Sequence, residues 1–112
     1  MEKYLGIVPK DELQGCFQDI HWTSSFGYFP TYAVGSAYGA MFLRKLMEDV
    51  DVDKDLSEGN FVNINLWLKN KIHQYAATRK NNEIVKAVCG KDFDPNEYIE
   101  YLKDKFSKIY NI

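Results

Sequence analysis

The sequence predicts an all-α fold. Apolar residues recur at helical spacing in three long stretches, and capping residues or a proline stand just before those stretches. No run of alternating strand-type residues appears anywhere in the 112 residues. A single helical domain, residues 1–112, is expected, because a chain of this length can bury roughly two thirds of the surface it would expose unfolded.

The elements follow in order. From Tyr32 to Val50 the residues Ala33, Ala37, Ala40, Met41, Leu43, Leu46, Met47 and Val50 predict a long, mostly buried helix, and Pro30 stands upstream where a missing N–H costs nothing. Gly35 and Gly39 each cost about 1 kcal/mol against Ala inside a helix, so close approach of another backbone or a ligand is expected there, plain helix packing being the simpler form. The acidic run DVDVDKDLSEGN, residues 49–60, reads as a solvated connection with one short helical turn around Asp53 to Leu56. It is not a calcium loop: counted from Asp51, the sixth and twelfth places hold Leu56 and Val62 instead of Gly and Glu.

Asn60 is expected to cap an amphipathic helix carrying Phe61, Ile64, Leu68, Ile72 and Tyr75 on one face. A polar break over Thr78–Asn82 follows, then a short helix from Glu83 to Cys89 stopped by Gly90. In the last helix Asp94 serves as N-cap, Pro95 fits the first turn and Glu97 completes a capping-box spacing, with Tyr98, Leu102, Phe106 and Ile109 along one face.

Composition narrows the function. Hydrophobic residues make up 46% and charged residues 27%, ordinary values for a globular protein. A formal charge of −2 with acids and bases interleaved provides no basic stripe, so no nucleic-acid partner is expected. The stretch from Ala33 to Leu43 is interrupted by Gly35, Ser36 and Gly39 and falls short of the ~20 residues of a membrane span. The first residues show no basic-then-apolar leader, so a cytoplasmic location is expected. Cys16 and Cys89 form no CxxC and read as small buried hydrophobes without a disulfide.

HExxH, a Gly-rich phosphate loop and a CxxC pair are all absent, so no metal-ligand set is expected in this chain. His73 falls in an apolar stripe and reads as packed or capping. Chemistry concentrates instead in GCFQDIHWTSSFGYFPTY, Gly15 to Tyr32, where six aromatic residues crowd against Gln18, Asp19 and His21. An imidazole whose tautomer is fixed by a carboxylate two residues away can polarise or donate to a substrate oxygen near neutral pH, and Gln18 both donates and accepts. A buried Asp–His bond that staples a loop to a core has the same sequence pattern. A hydrolase using Cys16 or Ser24 with His21 lacks any familiar nucleophile motif.

The run Gly15-Cys16-Phe17-Gln18-Asp19-Ile20-His21-Trp22 resembles the GxxQDxHW signature of the M32 family of metallocarboxypeptidases, the thermostable carboxypeptidase Taq type. FGYFPTYAVG, Phe26 to Gly35, resembles the FGYFPTYALG segment that follows it in the family, with Val34 in place of the usual Leu. Residues 70–73 and 97–103 resemble the closing helices, whereas QYAATRKNNE lacks a glycine that members often carry there. The resemblance covers nearly the whole chain.

It implies the carboxy-terminal part, a helical subdomain, of a larger all-helical zincin-type enzyme that removes single residues from peptide carboxyl ends. Members are typically homodimers and hold zinc, or cobalt, through the histidines of HExxH and a downstream Glu, so that the metal activates water and polarises the carbonyl. Those residues and the IRxxAD segment lie upstream in the family, so this chain alone is expected to bind no metal and to be inactive. Met1 then reads as an introduced start or the start of a truncated reading frame.

Carried over by position, His21 is the catalytic candidate and Gln18, Asp19, Trp22, Tyr28 and Tyr32 the substrate-binding ones. Residues 15–35 would form a wall of the peptide cleft and residues 60–112 the closing helices, with peptide substrate and the missing amino-terminal portion as partners. Phe17, Trp22, Phe26 and Phe29 are then expected to be exposed. The competing reading is a non-catalytic helical interaction module that uses this aromatic, glycine-rich face as a groove.

Overall fold

The computed structural model describes residues 2–112, which gather into two compact units, one ending at Ala33 and the other Val34–Ile112. Every regular element among the described residues is helical. The first unit holds only short turns of helix, α1 (Glu2–Leu5), a 3₁₀ turn (Cys16–Gln18) and α2 (His21–Ser24), before the start of α3 (Thr31–Asp49). Its aromatic residues are open to solvent, Phe26 completely and Phe17, Trp22 and Phe29 substantially, as expected from the sequence.

In the second unit α3 continues to Asp49 and is followed by α4 (Val52–Ser57), α5 (Val62–Lys71), a 3₁₀ turn (His73–Tyr75), α6 (Asn81–Cys89) and α7 (Asn96–Tyr110). Leu46, Val52, Trp67, Ile84 and Val88 form the buried cluster, one or two from each of α3 to α6. Ile64, Leu68, Ile72 and Tyr75 pack around it half-buried. The stripe read for α5 omitted its most buried member: Trp67 is 7% exposed, while Phe61 stays 53% exposed. The Trp67 indole N–H donates to Asp49 Oδ2 at 2.8 Å, which ties α5 to the end of α3 and keeps the ring's one polar atom satisfied.

The structure corrects several expectations. Helix α3 is buried only at Ala37, Met41 and Leu46; Val34 and Met47 are exposed. A Cβ placed on Gly35 or Gly39 would meet nothing within 4 Å, so among the described residues no close backbone approach occurs at either. The acidic run is not simply solvated. Asp51 caps α4 by accepting from Lys54 N at 3.1 Å, and Asp55 is 5% exposed, its Oδ1 accepting from Asn63 Nδ2 at 3.3 Å in the first turn of α5.

Asn60 does cap α5, its Oδ1 accepting from Val62 N at 3.1 Å, but the helix ends at Lys71 because Ile72 leaves helical geometry at φ −128° and ψ −63°. His73 therefore lies exposed in a 3₁₀ turn rather than in an apolar stripe. Helix α6 begins at Asn81, two residues inside the supposed polar break, because Glu83 Oε2 reaches back to accept from Lys80 N at 3.1 Å. It ends as expected at Gly90, whose φ of +71° suits glycine.

Asp94 accepts from Asn96 N at 3.0 Å at the start of α7, but Glu97 does not complete a capping box. Its carboxylate accepts two bonds from Arg44, at 2.6 and 2.7 Å, and another from Lys91, joining α3, the α6–α7 connection and α7. Charge-assisted bonds of this kind, one Arg44 nitrogen to both carboxylate oxygens with Lys91 beside it, outweigh a single return bond to a cap N–H. Cys89 is half-buried, and its Sγ lies 3.7 Å from the Met41 carbonyl, whereas Cys16 is exposed; both are free thiols. Burial pushes the Cys89 thiol up.

The Arg44 and Lys91 bonds hold the Glu97 carboxyl below its ordinary value of 4.5, and the Trp67 indole chiefly holds Asp49 below 3.8. A carboxyl depressed in the folded state means that the unfolded chain takes up protons first as pH falls. Stability from both groups is thus present above the ordinary values and lost as pH drops through the lower, folded ones. We predict urea midpoints that fall between pH 5 and pH 3, roughly the window of carboxylate titration, with Glu97→Gln flattening that fall. At pH 7, Trp67→Phe, which keeps a ring but loses the donor, should cost about 1 kcal/mol in urea unfolding.

Candidate functional site

The site is built in the first unit by the short stretch that carries both aromatic and polar residues. Gly15 starts it in a crowded place: an added Cβ would meet Pro9 Cγ at 3.3 Å and the Asp11 carbonyl at 3.4 Å, so a side chain is disfavoured there. After the 3₁₀ turn Asp19 takes extended backbone, φ −120° and ψ 120°, which turns its carboxylate toward the start of α2. There Asp19 Oδ1 accepts from His21 N at 3.0 Å and lies 2.5 Å from His21 Nδ1, while Trp22 N donates to the Asp19 carbonyl at 3.1 Å. One carboxylate oxygen therefore both starts the helical turn and holds the imidazole.

Beyond the helix, Gly27 at φ +77° allows the turn that brings Tyr28, Phe29 and Tyr32 back over His21. The Tyr28 ring stacks on the imidazole with centroids 5.6 Å apart and planes 8° from parallel. Phe29 and Tyr32 meet it edge-on, at 5.6 and 5.3 Å. The Tyr32 hydroxyl stands 3.0 Å from His21 Nε2. Trp22 stacks on Phe29 at 5.2 Å and extends the apolar surface outward.

Both ring nitrogens of His21 are thus engaged, one by a carboxylate and one by a phenol, which leaves neither for Cys16 or Ser24. The His21 backbone N–H, then its imidazole, hold the Asp19 carboxyl below its ordinary 3.8. An ionised carboxylate at Nδ1 keeps a proton there, so a neutral imidazole presents Nε2 as an acceptor to the Tyr32 hydroxyl. The neighbouring Tyr28 phenol is the main cause that pushes the Tyr32 phenol above its ordinary 10.0, so Tyr32 keeps its proton at neutral pH. The arrangement can hold and orient hydrogen-bond donors over an exposed aromatic surface.

Of the residues singled out from sequence, Asp19, His21, Tyr28 and Tyr32 converge, and Trp22 joins them through Phe29. Gln18 does not join them: its amide N–H is given to the Leu13 carbonyl, closing the preceding loop. Phe29 was expected among the exposed aromatic residues of this stretch but not as a neighbour of His21. Its position between two tyrosines in FGYFPTY offered a signal, but side chains seven to eleven residues from His21 meet it only through the Gly27 turn. Among the described residues no three His, Cys, Asp or Glu side chains are arranged to hold a metal ion.

Comparison with known proteins agrees with the motifs. The profile of the family described as Carboxypeptidase Taq (M32) metallopeptidase matches residues 1–106. The chain is 38% identical over 111 residues to carboxypeptidase 1 of Bacillus subtilis (strain 168), and 34% identical over 108 residues to thermostable carboxypeptidase 1 of Pyrococcus furiosus. These alignments take in 97% and 95% of this chain and 22% of each relative. Two solved structures, described as "BsuCP Crystal Structure" and "The Structure of CHT", share its fold with a TM-score of 0.82 each, at 38% and 36% identity. They are covered over 96% and 94% of this chain and again 22% of theirs, so the chain spans about a fifth of the length of the proteins it resembles. A chain matched over 106 of its 112 residues, with its signature segment folded into one connected site, belongs to the carboxypeptidase Taq (M32) metallopeptidase family.

Proposed function

We propose that this chain builds the carboxy-terminal part of the substrate cleft in a zinc- or cobalt-dependent carboxypeptidase that removes single residues from peptide carboxyl ends. Alone it is inactive, because the histidines and glutamate that would hold the metal lie in the missing amino-terminal portion. The observation that carries this reading is the chain of contacts Asp19–His21–Tyr32 inside the two signature segments. The same reading extends to a homodimeric, cytoplasmic parent.

In that cleft His21 and Tyr32 act as one donor unit. With His21 neutral, the Tyr32 proton points to Nε2; with His21 doubly protonated, Nε2 donates to the Tyr32 oxygen and the phenol proton turns outward to the substrate. A donor aimed at an oxygen that gains negative charge in the transition state is worth far more than one facing only the ground state. Tyr28 keeps the imidazole plane fixed by stacking, and Trp22 with Phe29 provides an apolar rest for a substrate side chain. Gln18 shapes the loop that carries Asp19.

The test is a single chain in which this sequence replaces the matching stretch of the Bacillus carboxypeptidase 1. It should release carboxy-terminal residues from a short peptide only with added zinc or cobalt, while the isolated chain releases none in either condition. In that chimera Tyr32→Phe or His21→Gln should lower kcat/KM by about 10²–10³. Metal-independent capture of apolar peptides by the isolated chain, with an inactive chimera, would instead favour the interaction module suggested by the open aromatic surface.

A second outcome reads the site directly. In nitrogen-15 spectra of the isolated chain the neutral His21 ring should show the Nδ1–H tautomer. Asp19→Asn should shift the population toward Nε2–H, and an unchanged tautomer would mean that Asp19 does not hold the ring.

A further inference from the structure

We propose that the Asp19–His21 site takes a positively charged group of the peptide, an ammonium or guanidinium seated on Asp19 Oδ2 against the neighbouring ring faces. The inference rests on the reading above and adds the charge class of substrate that this part of the cleft selects.

One oxygen of Asp19 makes all of its internal contacts: Oδ1 accepts from the His21 backbone N–H at 3.0 Å and lies 2.5 Å from His21 Nδ1. Oδ2 takes no hydrogen bond among the described residues, and 45% of the side chain is open to solvent. With the imidazole neutral, the pair keeps a full negative charge. No base competes for that charge. Asp19 is the only Asp, Glu, Lys or Arg from Leu13 to Leu43, and its one ion-pair partner among the described residues is His21.

The surface around this carboxylate is aromatic. Tyr28 lies parallel to the imidazole that Asp19 holds and is half open to solvent, and Trp22, with one face on Phe29, is more exposed still. Ring faces attract cations and repel anions through their quadrupole. A free carboxylate oxygen beside open rings therefore favours an organic cation over a neutral group of the same size by two effects of one sign, and it disfavours an acidic side chain. The Trp22–Phe29 stack suits the methylene stem of such a group. The same charge repels the terminal carboxylate of a peptide, so the cation belongs to another part of the substrate. It is either a lysine or arginine side chain or the free α-ammonium of a short peptide.

The experiment uses the Bacillus chimera described above and peptides of one length. They carry lysine, norleucine or glutamate at the last or the penultimate position, each with a free or an acetylated amino terminus. In one of these comparisons the positive form should exceed its neutral match in kcat/KM by about threefold to tenfold. A salt concentration of about 0.5 M should erase most of that ratio. A lysine effect assigns the site to a side chain, and an acetylation effect assigns it to the α-ammonium. Asp19→Asn, which keeps an acceptor for the His21 N–H but removes the charge, should bring the ratio to about one whatever it does to the overall rate. Equal kcat/KM across the charge series, or a preference that survives Asp19→Asn, overturns the proposal.

The isolated chain provides a reading that needs no catalysis. In proton spectra, acetyl-lysine methylamide should shift the Tyr28 and Trp22 ring resonances more than acetyl-norleucine methylamide does, and Asp19→Asn should remove the excess. Equal shifts by the two compounds overturn the site. A lysine excess in the isolated chain together with a chimera that cleaves none of the peptides would sink the carboxypeptidase reading and leave the cation site standing.

Discussion

Trp67 is the residue on which the second unit depends. Its ring enters the cluster formed by Leu46, Val52, Ile84 and Val88, and its indole N–H is satisfied by Asp49 at the end of α3. An indole buried without a partner would cost about as much as its polar atom's lost hydration, a few kcal/mol at most, so position and partner are specified together. Asp49 is itself held by Lys45 one turn earlier, at 3.8 Å. The same contact therefore sets the register between α3 and α5, and α4 closes around it with Val52 and α6 with Ile84 and Val88.

Around this small core most of the chain's large apolar side chains face outward. The imbalance has a physical consequence: burial of so little apolar surface offsets only part of the entropy cost of ordering the helices. Polar fastenings supply local order instead, as in the Arg44–Glu97–Lys91 group and the caps at Asp51, Asn60 and Asp94. Such fastenings fix geometry more than they add stability, because exposed ion pairs are screened by water and salt.

The first unit follows a different logic. No core holds Asp19, His21 and Tyr32; a carboxylate, an imidazole and a phenol are held by hydrogen bonds and ring contacts alone. The rings that order His21 are also those left open to solvent. The chain spans about a fifth of the length of the relatives it matches.

Helical class, the long third helix, the Gly90 stop and the signature residues around His21 were legible in the sequence, because periodicity, capping chemistry and glycine act locally. The pairing of Asp19 with His21 was legible for the same reason, being two residues apart. Only the tertiary structure decided that Trp67 rather than Phe61 is buried, that Asp55 leaves solvent to meet Asn63, and that Glu97 turns from its cap to Arg44 and Lys91. Each of those outcomes depends on partners far away in the chain, or on which of two similar faces meets a neighbour, and no local spacing encodes that choice. The same holds for Phe29 and Tyr32, whose approach to His21 is set by the turn at Gly27.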